Sequence, residues 1–140
     1  MLSWLKRKYL FESSLTPPQS LSALLTVPKP TYVAARDVAT ASPWYVEKFG
    51  LRKLSSAEQL QPDGIALQFD ASSNPVILLP KDPTVFRSAP VFFTRKVDKV
   101  RARLIARGIC ADLVQQDGQG TNYFELLDGE GNAIEVSEEP

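Results

Sequence analysis

Glu135 is a carboxylate inside an apolar run, AIEVS, in which alternation puts Ile134 and Val136 on one face of a strand and Ala133, Glu135 and Ser137 on the other. Just upstream, Asp128 to Asn132 (DGEGN) reads as a turn, and a hairpin closed on it pairs Leu127 with Ala133, Glu125 with Glu135 and Tyr123 with Ser137. Directly opposed residues share a face, so the two glutamates stand about 5 Å apart at Cβ. They repel unless a proton or a cation intervenes, which raises one pKa toward neutrality and makes Glu135 and Glu125 candidate catalytic residues for proton transfer. The same pair can instead form the polar end of an apolar cavity, suited to a cationic or hydrogen-bond-donating ligand. Two plainer readings stand beside these: Arg36 or Arg95 neutralises the pair, or Glu135 is exposed at an open lip.

The composition narrows the chemistry further. The chain of 140 residues contains no histidine, which removes His-dependent triads, His-containing metal sites and the usual general base near neutral pH. Sixteen basic residues balance sixteen acidic ones, so no net field favours nucleic acid or an anionic membrane, and no nucleic-acid partner is expected. One cysteine, Cys110, cannot close an intramolecular disulfide, and its expected role is that of a small buried apolar residue. No run approaches the roughly 20 apolar residues of a membrane span, so a soluble, cytoplasmic protein is expected. The opening stretch MLSWLKRKYLFESSL sets Lys6, Arg7 and Lys8 among apolar residues and reads as an amphipathic segment that docks on its own domain, a partner or a membrane surface. It lacks the apolar stretch that a secretory signal carries after its charges. The following TPPQSLSALLTVPKP holds four of the eleven prolines and reads as an irregular connector, with Leu24, Leu25 and Val27 packed against something.

Elements that could position the glutamates emerge from an internal repeat. Placing FDASSNPVILL, from Phe69, under LDGEGNAIEVS, from Leu127, matches Asp70 to Asp128 and Asn74 to Asn132, 58 residues apart. The same spacing brings TYVAARDV onto APVFFTRKV and Gly50 onto Gly108. Each copy reads as strand, helix and three strands. The first helix is expected to take Thr40 or Ser42 as its cap and Pro43 in its first turn, to bury Tyr45, Val46 and Phe49, and to end at Gly50. The second buries Val97, Val100 and Leu104 and ends at Gly108, with Lys99, Arg101, Arg103 and Arg107 on its solvated side. The expected fold is α+β: two βαβββ units, about 30–82 and about 88–138, preceded by an extension and connector over 1–29.

Two stretches carry a resemblance. ASPWYVEKFGLRKL resembles the helix-Gly-strand signature of the vicinal oxygen chelate superfamily of glyoxalases, bleomycin resistance proteins and dioxygenases, and YFELLDGEGNAIEV is similar to its closing hairpin. The resemblance spans roughly residues 30–138. It implies curved mixed sheets that enclose a cup-shaped cavity, a homodimer, and metal ligands on the first and last strand of each unit. Only Glu135 matches those ligand positions; Pro30 or Thr31, then Ser88, Ala89 or Pro90, and Ile77 stand at the others. One carboxylate does not hold a catalytic divalent ion, so no metal and no other cofactor is expected. The cup's interior would carry Tyr32 and Ala34, Val91 and Phe93, Ile77 and Leu79. Its expected ligand-binding residues are Tyr32, Phe93, Tyr123, Glu125 and Glu135, although Phe93 and Ile77 equally suit a packed core. Trp44 is expected to pack or to cover an interface. The resemblance implies a metal-independent small-molecule binding protein like bleomycin resistance proteins. A lyase or isomerase using Glu135 and Glu125, and a structural subunit with a filled cavity, are the alternatives.

Overall fold

Val33 and Ala35 are buried while their neighbours Tyr32 and Ala34 are not, the one-sided alternation of a strand with a single face on the core. That strand, β1 (Thr31–Ala35), begins a series continued by α2 (Val38–Phe49), β2 (Arg52–Lys53), β3 (Ile65–Gln68) and β4 (Val76–Pro80). The series repeats as β5 (Val91–Thr94), α3 (Val97–Ala106), β6 (Gln115–Gln116), β7 (Asn122–Leu127) and β8 (Ala133–Glu138), and a single turn, α1 (Leu21–Leu24), precedes both. The computed structural model describes residues 21–55, 63–85 and 88–140. The amphipathic stretch expected at the start of the chain lies outside them.

The strands form two curved four-stranded mixed sheets, ordered β1-β4-β3-β2 and β5-β8-β7-β6. In each, the first strand runs parallel to the fourth and the remaining pairs are antiparallel. This is the βαβββ unit expected twice. One detail of the repeat differs. The hairpins correspond at a spacing of 58, whereas Val33 lies opposite Leu78 and Phe92 opposite Val136, so the first strands correspond at 59. The second unit recovers the register within its shorter helix, 10 residues against 12.

Helix α2 begins earlier than its sequence suggests. Asp37 is the cap: its Oδ1 accepts from the Ala39 and Thr40 amides at 3.1 and 3.3 Å, and its Oδ2 from the Thr40 hydroxyl at 2.8 Å. Thr40 and Ser42 are therefore not caps, and Pro43 lies inside the helix. Pro43 removes one donor, but it and Ala39, whose carbonyl would accept, are exposed, so solvent can satisfy that group. Gly50 ends α2 in the left-handed conformation, at φ 74°, that a side chain disfavours. Helix α3 ends in a Schellman turn, with Gly108 and Ile109 amides returning to the Ile105 and Leu104 carbonyls at 2.9 and 3.1 Å.

Both units share one core. Phe92 packs edge-on against Phe49 of the first helix and Phe69 of the first hairpin, with ring centroids 5.4 and 6.1 Å apart. Leu21, Leu24, Leu25 and Val27 are buried in the same core, and Thr26 exchanges backbone hydrogen bonds with Phe93 at 2.7 and 3.0 Å. The described part of the stretch that reads as irregular connector, residues 21–30, thus contains a helical turn and a bridge along the outer edge of β5. Cys110 is exposed, contrary to expectation, because its neighbour Ile109 takes the core position and Cys110 contributes only its carbonyl, to the Leu127 amide.

Two contacts bind unit to unit. Lys48 Nζ donates to the Arg107 carbonyl at 2.7 Å while Arg107 Nη1 donates to the Lys48 carbonyl at 2.6 Å, so each helix supplies a cation to the other's C-terminal end. The second contact joins α2 to the β7–β8 hairpin. Tyr45, 1 % exposed, gives its hydroxyl to Asp128 Oδ2 at 2.5 Å. Asp128 also accepts from the Glu130 and Asn132 amides and the Asn132 side chain. Trp44 lies so close to Gly129 that a Cβ there would come within 2.8 Å of Trp44 Cδ1.

Candidate functional site

With the helices and the core on one side of both sheets, the odd-numbered side chains of β8 face the other way. Register fixes who stands beside whom. Across the second sheet, Val91, Glu135 and Glu125 form one row, and Phe93, Ser137 and Tyr123 form the next. The corresponding row of the first sheet is Tyr32, Ile77 and Ala66, followed by Ala34 beside Leu79. All five residues expected to bind a ligand, Tyr32, Phe93, Tyr123, Glu125 and Glu135, thus lie on the faces that carry no helix among the described residues, the helix-free faces, the first on one sheet and the other four on its partner.

The two faces differ in chemistry. Ile77 and Ala66, each 4 % exposed, already pack with Leu54 and Leu79 in a small cluster of their own. Tyr32 at the edge is 37 % exposed. On the second sheet Glu135 is half-buried beside an exposed Glu125. Burial pushes the Glu135 carboxyl above the ordinary carboxylate range, and the negative charges of Glu125 and Asp117 push the same way. At the seam between β1 and the start of β5 and β8, Tyr32, Ala34, Ser88, Pro90, Asn132 and Ala133 line a cavity of about 210 Å³.

The expected arginine partners are elsewhere. The backbone amides of Arg36 and Asp37 donate to the Glu130 carboxylate at 2.8 and 3.1 Å, and Arg95 pairs with Glu139 at 2.9 Å, the one ion pair among the described residues. The reason is distance along the strand. Val91 stands opposite Glu135, and Arg95 lies four residues on, roughly 13 Å at the rise of an extended chain.

The donor set does not suit a divalent ion. Among the described residues no three His, Cys, Asp or Glu side chains converge, and the positions on the first sheet that correspond to Glu135 and Glu125 are the apolar Ile77 and Ala66. No helix of the described residues is long and apolar enough to cross a membrane.

No family model matches the sequence, and no curated protein is similar enough to count as a match. Solved structures do match. A lactoylglutathione lyase from Agrobacterium tumefaciens aligns at 19 % identity with a TM-score of 0.60, over 88 % of this chain and 96 % of its own. A member of the glyoxalase/bleomycin resistance protein/dioxygenase superfamily from Sphaerobacter thermophilus aligns at 21 % identity and TM-score 0.60, over 81 % and 96 % of the two chains. The chain has the vicinal oxygen chelate fold. An antibiotic binding protein from Streptomyces sp. CB03234 shares it at 23 % identity and TM-score 0.62, over 78 % of this chain and 92 % of that one. Identities this low carry the fold and not the activity. Within the vicinal oxygen chelate fold, sequence reasoning located the glutamate pair but missed the Tyr45–Asp128 bond between units. The Asp128–Asn132 spacing marked one partner; nothing local marked the other, 83 residues away.

Proposed function

We propose that this protein is a metal-independent small-molecule binder that seats a cationic or hydrogen-bond-donating ligand on the helix-free face, with Glu135 and Glu125 as its polar end and Tyr32, Phe93 and Tyr123 as its walls. The observation that carries the reading is the row Val91, Glu135, Glu125: two opposed carboxylates, one half-buried, with no cation beside them among the described residues. A bound cation would lower the repulsion and repay the burial of Glu135. An antibiotic binding protein among the chains of like fold is consistent with this use. A second copy of the chain, closing the cup in a homodimer, belongs to the proposal. Tyr32 and Leu127, 37 % and 46 % exposed on that face, are the large side chains it would cover.

The raised Glu135 favours one rival, a lyase or isomerase in which Glu135 moves the proton. Thermal denaturation against a panel of cationic aromatic amines and their neutral isosteres, with and without Mn²⁺, Ni²⁺ or Zn²⁺, separates the readings. A ligand present at a hundred times its Kd contributes about 2.7 kcal/mol. The expected result is a rise in Tm with the cations alone, diminished at least tenfold in affinity by E135Q. A rise that requires metal, or one indifferent to E135Q, would overturn the proposal, and conversion of a bound compound at substoichiometric protein would establish the enzyme.

A further inference from the structure

The internal repeat supplies a template for a second site. In the first unit α2 and the β1–α2 corner close on the β7–β8 hairpin through three groups: the Trp44 ring on Gly129, the Tyr45 hydroxyl on Asp128 Oδ2, and the Glu130 carboxylate on the Arg36 and Asp37 amides. That closure leaves a cavity of only about 140 Å³. At the corresponding place on the other side, where the β5–α3 corner faces the β3–β4 hairpin, all three groups are missing. Arg103, Leu104 and Ser72 stand at the positions of Trp44, Tyr45 and Glu130. Leu104 fills its place in the core, and between the corner, the hairpin and residues 22–28 lies a groove of about 570 Å³, within the range of small-molecule pockets. It lies against α1 and shares none of its lining residues with the helix-free face.

The groove keeps two of the receptors, Asp70 and the Arg95 amide, whereas the Lys96 amide, counterpart of the Asp37 amide, already donates to Thr94 Oγ1 at 3.0 Å and Ala71 stands in place of Gly129. Asp70, the counterpart of Asp128, takes the Ser72 amide and hydroxyl on Oδ1 at 2.9 and 2.7 Å, and these hold it below the ordinary carboxylate range, hence charged. Its Oδ2 accepts nothing among the described residues, because Leu104 has no hydroxyl and Asn74, unlike Asn132, turns its side-chain amide to the Val27 carbonyl at 2.9 Å. At the opposite wall the Arg95 amide, counterpart of the Arg36 amide, has no acceptor among the described residues, and Lys96 adds an exposed cation, while the Arg95 guanidinium is already paired with Glu139, which also lines the groove. Phe69 and Leu24 supply an apolar floor between the walls.

We propose that this groove binds a small hydroxyaryl carboxylate, its ring over Phe69 and Leu24, its hydroxyl donating to Asp70 Oδ2 and its carboxylate at the Arg95–Lys96 corner. Such a ligand reproduces in one molecule the ring, hydroxyl and carboxylate that Trp44, Tyr45 and Glu130 provide on the other side. The probe is 4-hydroxyphenylacetate, titrated into the full chain and followed by amide chemical shifts, with phenylacetate and 4-ethylphenol as probes lacking one group each. Shifts are expected at residues 70–74 and 95–96, with each reduced probe bound about tenfold more weakly. Asp70→Asn keeps the turn's acceptor but presents an amide donor in place of Oδ2. The phenol oxygen can still accept from that amide, so in that variant the preference for 4-hydroxyphenylacetate over phenylacetate should shrink, because a charge-assisted bond is replaced by a neutral one. Absence of shifts at millimolar probe, equal binding of the two acids to the unaltered chain, or shifts confined to the rows around Tyr32 and Glu135 would each overturn the proposal. The last of these would leave the ligand site of the helix-free face standing.

Discussion

Glu135 owes its chemistry to three neighbours and one parity. Ile134 and Val136 anchor the core face, which turns Glu135 to the other side, and the hairpin register sets Glu125 opposite it. A carboxyl whose folded-state pKa lies above its unfolded value binds its proton more tightly when folded, so the stability this lends is complete at low pH. It is lost as pH rises from the unfolded value through the folded one. Glu135 is in this class, pushed up first by burial and then by Glu125 and Asp117. E135Q should therefore melt above the wild type at neutral pH, with the gap closing as pH falls from the raised folded-state value to the ordinary carboxylate value of 4.5. Melting curves across that range check the sign, and E125Q should move the wild-type transition toward lower pH. The position of Glu135 could be read from alternation alone. That no arginine among the described residues pairs with it could not, because which cations reach a strand depends on how far along the sheet the next corner lies.

Helix α2 and the β7–β8 hairpin make a contact that belongs to neither alone. Tyr45 is core by its spacing with Phe49, yet its hydroxyl ends on Asp128, a buried carboxylate that organises the turn of the other unit. Tyr45→Phe should remove one hydrogen bond to a charged group and cost about 1.5–3 kcal/mol, measured by urea denaturation. The lost partner leaves Asp128 Oδ2 with only the Asn132 side chain. Both elements were legible from Gly50, the Asp128–Asn132 turn and the spacing of Tyr45 and Phe49, because those signals are local, although Val46, expected in the same stripe, is 40 % exposed. Their docking was not, nor was the start of α2, where Asp37 outcompetes Thr40 one turn earlier. The edge bridge at Thr26 escaped notice for the same reason: four prolines describe the neighbourhood, and the partner strand begins 65 residues further on.

Taken whole, the molecule is two repeats around one apolar centre, and Phe92 marks that centre with one ring from each flank. Phe92→Ala should cost about 3–5 kcal/mol. Because both units line the same core, fluorescence and circular dichroism should report one shared transition at lower urea, where independent units would give two. The reciprocal bonds of Lys48 and Arg107 join the units in a manner familiar from symmetric dimers: a residue of one half touches the other half at the place where its own counterpart is touched. Contacts of that kind need no covalent tether. Residues 81–85, which lead out of the first unit, are exposed throughout. A chain severed there should therefore behave as two fragments that reassociate when mixed, and co-elution of the two pieces on size exclusion is the sign to look for.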